Sequence, residues 1–96
     1  MSRVSGKPYF VYILWSEGGR RFYIGISEDI SHRLSTHKEG RSRWTARYVP
    51  WTLVYQEAHS DYWSARLREN ELKRQKGGDG FYRLTGLNRS QFHRSV

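Results

Sequence analysis

The chain contains no cysteine. A disulfide framework, a thiolate metal site and a cysteine nucleophile are therefore all excluded, and the core must hold without staples. No apolar run approaches the roughly eighteen residues that a membrane span needs, and residues 1–8 lack the apolar segment of a signal peptide. A soluble, cytoplasmic protein without membrane contact is the expectation. Acidic residues are also scarce, nine against 17 lysines and arginines, which leaves a net charge of +8 and a pI near 10.2. Such an imbalance is most economically explained by a polyanionic partner, nucleic acid being the commonest. A basic surface serving solubility, or loose association with ribosomes or membranes, would give the same charge. At 96 residues there is room for one small domain spanning 1–96 and for no second core.

What the chain has in plenty is aromatic side chains, 16% of residues and four of them tryptophan, enough to build a dense core from few positions. Tyr9 to Trp15, YFVYILW, is apolar on both faces and suits a strand covered from both sides. Gly18 and Gly19 supply the positive φ of a tight turn, and Arg21 to Ile26 then alternates with period two. A loop of two or four residues centred on that glycine pair sets Leu14 opposite Tyr23 and Tyr12 opposite Gly25, so both tyrosines share a face.

Ser27 or Asp29 can cap a helix running to about Glu39, with Ile30 and Leu34 as its apolar stripe and Gly40 as its stop. On the helical wheel His37 lies about 20° from Ile30 and Arg33 about 60° to one side, so two polar residues sit at the face that should be buried. Arg41 to Pro50 is a basic loop with two aromatics, and Trp51 to Ala58 reads as a third strand. Asp61 suits the N-cap of a second helix from Tyr62 to about Lys76, ended by Gly77 and Gly78. Tyr62, Ala65, Glu69 and Leu72 share one of its faces; Trp63 and Leu67 lie opposite, which suggests cover from two directions. The core is expected over about 8–76, with 77–96 an extension holding a last short helix.

Phe10-Val11-Tyr12, Tyr23-Ile24-Gly25, Arg33 with His37, and Glu69, in this order, resemble the GIY-YIG nuclease family, most closely its small single-domain bacterial members. The resemblance covers about Tyr9 to Lys73. The first tripeptide reads Phe-Val-Tyr where the family name has Gly-Ile-Tyr, and no asparagine follows Glu69 by the dozen residues common in the family. Asn88, 19 residues on, carries no role over. The resemblance implies an α+β fold, a three-stranded antiparallel sheet flanked by helices, and metal-dependent hydrolysis of phosphodiesters. It places the catalytic set at Tyr12, Tyr23, Arg33, His37 and Glu69, with Glu69 as metal ligand.

The chemistry of those residue types agrees. A Mg2+ or Mn2+ ion on one carboxylate can complete its shell with water and phosphate oxygens. Arg33 can bind a phosphate through two parallel hydrogen bonds, and His37, one turn on, can reach the same group or the attacking water. Tyr12 is assigned the base and Tyr23 a positioning role, although a phenol near pKa 10 needs a neighbouring positive charge to act at neutral pH. Arg66, Arg68 and Lys73 flank Glu69, so an ion pair is the competing use of that carboxylate. Arg41, Arg43 and Arg47, interleaved with Trp44 and Tyr48, and Lys73 are the nucleic-acid-binding candidates, the aromatics suiting unpaired bases. The expected activity is an endonuclease on DNA, single-stranded or structured more than sequence-specific duplex, with RNA possible, serving repair, recombination or processing. A nucleic-acid-binding module without turnover, or one active only with a partner protein, is the alternative.

Overall fold

The structure is a computed structural model that describes residues 8–38 and 50–92, the side chains of 36–38 excepted. Three strands, Tyr9–Ser16 (β1), Arg21–Ser27 (β2) and Trp51–His59 (β3), form one antiparallel sheet in the order β2-β1-β3. Helix Ile30–Lys38 (α1) precedes β3, and helices Tyr62–Gln75 (α2) and Asp79–Thr85 (α3) follow it, with a 3-10 turn at Arg89–Gln91. This is the α+β sheet-and-helix architecture expected of the sequence. No helix among the described residues is long and apolar enough to cross a membrane.

β1 is central because it is the one strand apolar on both sides. Val11, Ile13 and Trp15 face one way, packed with Phe22 and Ile24 of β2, Ala65 and Leu72 of α2, and Phe81 of α3. Tyr12 and Leu14 face the other way, against Trp51 and the partly buried Tyr23, Ile30, Leu34 and Leu53. The hairpin register is the one the sequence implies, Tyr12 opposite Gly25 and Leu14 opposite Tyr23, across a four-residue loop. The left-handed residue of that loop is Arg20, with φ of 52°, rather than either glycine. Ser16 Oγ accepts from Gly19 N at 2.9 Å, and the Arg20 guanidinium donates to Phe92 O at 2.9 Å, so side-chain bonds compensate for the cost of a non-glycine there.

β1 and β3 carry a register shift between Ile13, paired with Tyr55, and Leu14, paired with Leu53. The extra residue, Val54, is a β-bulge, and it turns Trp51 and Leu53 to the tyrosine side while Tyr55 and Val54 join the α2 side.

Asp61 caps α2 by accepting from Ser64 N at 2.9 Å, and Asp29 caps α1 by accepting from His32 N at 3.0 Å. α2 buries Ala65, Glu69 and Leu72. Its other side is not covered: Trp63 is 72% and Leu67 70% exposed, against the expectation of cover from two directions. Residues 78–92, the described part of the segment after Gly77, contribute to the core. Phe81 packs on Phe22 at 4.8 Å between ring centroids, and Phe92 lies 5.0 Å from both Phe22 and Trp15.

Candidate active site

Gly25, opposite Tyr12 in the hairpin, lies under the Tyr12 ring. A Cβ at that position would lie 2.7 Å from the Tyr12 hydroxyl oxygen, so the absence of a side chain is what admits the ring. Tyr12 and Tyr23 stand with ring centroids 6.2 Å apart on one face of the sheet. They differ in environment: Tyr12 is 1% exposed, whereas Tyr23 is half-buried and borders open space.

Arg33, from α1, hydrogen-bonds the Tyr12 hydroxyl. Burial pushes the Tyr12 phenol up to about 12, and the Arg33 guanidinium pulls it back only in part. At neutral pH Tyr12 is therefore a protonated hydroxyl that fixes its neighbours. Arg33 Nε is buried with no hydrogen-bond partner among the described residues. Leaving a guanidinium N–H so costs about 1–3 kcal/mol, and unpaired polar groups of this kind gather at functional sites.

Glu69 comes from the opposite side of the sheet. α2 lies on the Val11/Ile13 face, yet Glu69 and Tyr23 open on the same cleft, because β2 is an edge strand and both reach past it. The cleft has a volume of about 530 Å³, and its walls include Tyr23, Gly25, Glu28, Asp29, Arg66 and Glu69. Glu69 is 6% exposed, with Arg66 at 3.2 Å from one carboxylate oxygen and Lys73 at 3.1 Å from the other. Those two cations are each about half exposed.

No three histidine, aspartate or glutamate residues gather as a metal cluster among the described residues. The donor set available to a divalent cation at the cleft is the Glu69 carboxylate, with Glu28 and Asp29 elsewhere on the wall and water or phosphate oxygens for the rest. Magnesium accepts such a set, and Arg66 and Lys73 are exposed enough to swing aside. The residues present fit a single hard cation.

Of the residues singled out from sequence, the cleft brings together Tyr23 and Glu69; Tyr12 and Arg33 lie behind Tyr23 as its support. Lys73 flanks Glu69. The side chain of His37 lies outside the described part of the structure, as do Arg41, Arg43, Trp44, Arg47 and Tyr48. Asn88 is exposed and caps the 3-10 turn, its Oδ1 accepting from Ser90 N at 3.0 Å, which is a structural use. Residues that the sequence reading passed over are Arg66, which it weighed only as a competitor for Glu69, and Glu28. The signal for Arg66 was its spacing, three residues before Glu69 on the same helical stripe.

A model of the GIY-YIG catalytic domain matches residues 8–81. The chain is 34% identical over 70 residues to a UPF0213 protein of Lacticaseibacillus paracasei, an alignment that takes in 72% of this chain and 78% of the relative. UPF0213 proteins from two serotypes of Streptococcus agalactiae are 33% identical over 70 residues, covering 72% of this chain and 77% of each relative. No solved structure gives a significant match. The chain belongs to the GIY-YIG family of nuclease domains, and its relatives are small single-domain members of that family.

Proposed function

We propose that the protein is a divalent-metal-dependent endonuclease that hydrolyses phosphodiester bonds in DNA, with single strands or branched structures as its substrates and repair, recombination or processing as its setting. The observation that carries this reading is the convergence of Tyr23 and Glu69 from opposite sheet faces on one cleft at the β2 edge, with a cation on either side of the carboxylate.

In this reading Glu69 would hold a Mg2+ or Mn2+ ion, with Glu28 and Asp29 as further acidic residues on the same cleft wall. The ion supplies charge stabilisation for the phosphoryl oxygens and the leaving oxygen. Arg66 and Lys73, once released from Glu69, bind phosphate oxygens. Arg33 stays protonated, since the Tyr12 and Tyr23 hydroxyls on it raise its pKa further, and its charge stands beside both tyrosines. Tyr23, the half-buried tyrosine of the pair, takes the attacking water's proton once its own hydroxyl proton has passed to solvent at the cleft, while the buried Tyr12 hydroxyl orients Arg33. This exchanges the roles that the bare sequence suggests for the two tyrosines. His37 and the basic loop at Arg41, Arg43, Trp44, Arg47 and Tyr48 complete the substrate contacts.

The ion pairs on Glu69 also favour a second reading, in which the carboxylate stays locked and the chain binds nucleic acid without turnover until a partner protein frees it. Incubating the purified protein with single-stranded, duplex and branched DNA, in magnesium, manganese or chelator, separates the two. Cleavage that needs the metal and falls by about 10²–10³ in Glu69→Gln is expected. Cleavage that survives chelator, or that Glu69→Gln leaves unchanged, overturns the metal mechanism, and binding without cleavage in every metal favours the second reading.

A further inference from the structure

The cleft does not end at Glu69. A second hollow of about 400 Å³, lined by Phe22, Tyr23, Ile24, Lys73 and Lys76, shares Tyr23 with it, and both are bounded by residues of β2 and α2, so we read the two as one groove along the β2 edge. Along this groove α2 presents Tyr62, Arg66, Glu69, Lys73 and, just past its last turn, Lys76. At 100° per residue these five fall within an arc of about 80°, a single stripe. Its sign pattern is ring, cation, carboxylate, cation, cation.

The Lys76 end gathers positive charge. The Lys76 ammonium reaches Phe22 O at 3.4 Å, and its pKa is lowered by desolvation and by the neighbouring Lys73 and Arg21. A polyanion threading this end relieves that repulsion. The Tyr62 end is a ladder of rings: Tyr9 to Tyr62 at 5.6 Å and Tyr62 to Trp63 at 5.7 Å, both edge-on. Tyr62 lines the cleft, and the Trp63 ring beyond it is 72% exposed. The indole lies about a quarter-turn of α2 round from Tyr62 and outside the groove itself, and offers a flat apolar face beside its Tyr62 end, onto which a strand leaving Glu69 past Tyr62 can turn.

We infer that the groove is a track for one unpaired nucleic-acid strand, with Tyr62 and Trp63 as a base-stacking ledge at one end and Lys73 and Lys76 as phosphate contacts at the other. The inference deepens the nuclease reading and rests on it for the position of the reacting phosphate at Glu69. Charge complementarity and continuity with the cleft select the occupant. A duplex would keep its bases stacked on one another and away from the ledge, whereas every unpaired base has a face to offer an aromatic ring. From Tyr62 to Lys76 the stripe is about 21 Å long, room for on the order of four to six nucleotides.

The test is fluorescence anisotropy with a labelled single-stranded DNA oligonucleotide and the corresponding duplex, in chelator, with a gel verifying that the DNA stays intact. Trp63→Ala, a change at an exposed position, is expected to weaken single-strand binding about tenfold and duplex binding hardly at all. An abasic residue moved along the oligonucleotide should weaken binding to the wild type most at one position, and Trp63→Ala should erase that position's effect. Lys76→Ala should weaken binding to all sequences alike and lower the salt slope by about one. Equal loss on single strand and duplex, or an abasic profile unchanged by Trp63→Ala, overturns the ledge. These readings need no turnover, so they stand apart from any failure of the cleavage experiment.

Discussion

Two carboxylates of this small domain are each held by cations, and they are held differently. Glu57, on β3, receives the Tyr55 hydroxyl, His59 Nε2 at 2.6 Å and Arg68 Nε at 2.9 Å. Arg68 is in turn fixed by Glu71 at 3.1 Å and by Leu84 O at 3.0 Å, so that β3, α2 and the end of α3 are tied through one guanidinium that is only 21% exposed. Glu69 is the next residue after Arg68 on the same helix, about 100° round its axis. Its partners, Arg66 and Lys73, are half exposed, and among the described residues no further side-chain bond pins them. In the first arrangement the arginine partner is itself fixed by further bonds and ties three elements together; in the second the partners are half exposed, beside an open cleft. Charge pairing alone does not separate a structural carboxylate from a functional one. The freedom of the partners does.

That contrast can be broken by experiment. The largest effect expected is on turnover: Glu69→Gln should lose about 10²–10³ in cleavage, near 3–4 kcal/mol of barrier, with the thermal midpoint unmoved. A large drop in melting temperature would put Glu69 in the same structural class as Glu57. Glu57→Gln should do the reverse, costing about 2 kcal/mol of stability in denaturant titration because Arg68 loses the more buried of its two ion partners, while the activity per folded molecule is retained.

Acid sharpens the same point. Burial raises the Glu57 pKa, but the bonds from Tyr55, His59 and Arg68 together outweigh it and leave it below its ordinary value of 4.5. A carboxyl with a depressed folded-state pKa contributes stability above its unfolded value and loses it as pH falls through the folded one. The stability gap between wild type and Glu57→Gln should therefore narrow below pH of about 4.5, as followed by denaturant titration across that range. The smallest change is at the cleft wall. Gly25→Ala places a methyl group 2.7 Å from the Tyr12 hydroxyl oxygen and should cost about 1–2 kcal/mol in thermal melts, with a displaced Tyr12.

The hairpin and its tyrosine pair were legible in the residue order because period-two alternation and a glycine-centred turn leave one register open. The helix starts at Asp29 and Asp61 were legible through their capping side chains, and the α2 stop through Gly77, which takes φ of 81°. Three features were not. The strand WTLVYQEA does not announce its bulge at Val54, since each of its residues is compatible with either face. The rings of Phe81 and Tyr82 enter the core from a seven-residue helix and that of Phe92 from the end of a 3-10 turn, elements too short to show a period. The meeting of Tyr23 with Glu69 depends on β2 being an edge strand, a property of strand order that no local pattern encodes. Within the site, the residue types were readable, but the burial that separates Tyr12 from Tyr23 was not.

One contact sets the order in which the molecule can be completed. The Arg20 guanidinium at the first hairpin turn binds Phe92 O, 72 residues further on, and the Phe92 ring closes over Trp15 and Phe22. During synthesis the hairpin emerges early with those two rings bare and stays so until residue 92 has been added. A nascent chain in that interval displays sticky aromatic surface, the kind that chaperones hold and that neighbouring chains capture. Any shortening that removes Phe92 would make that transient exposure permanent.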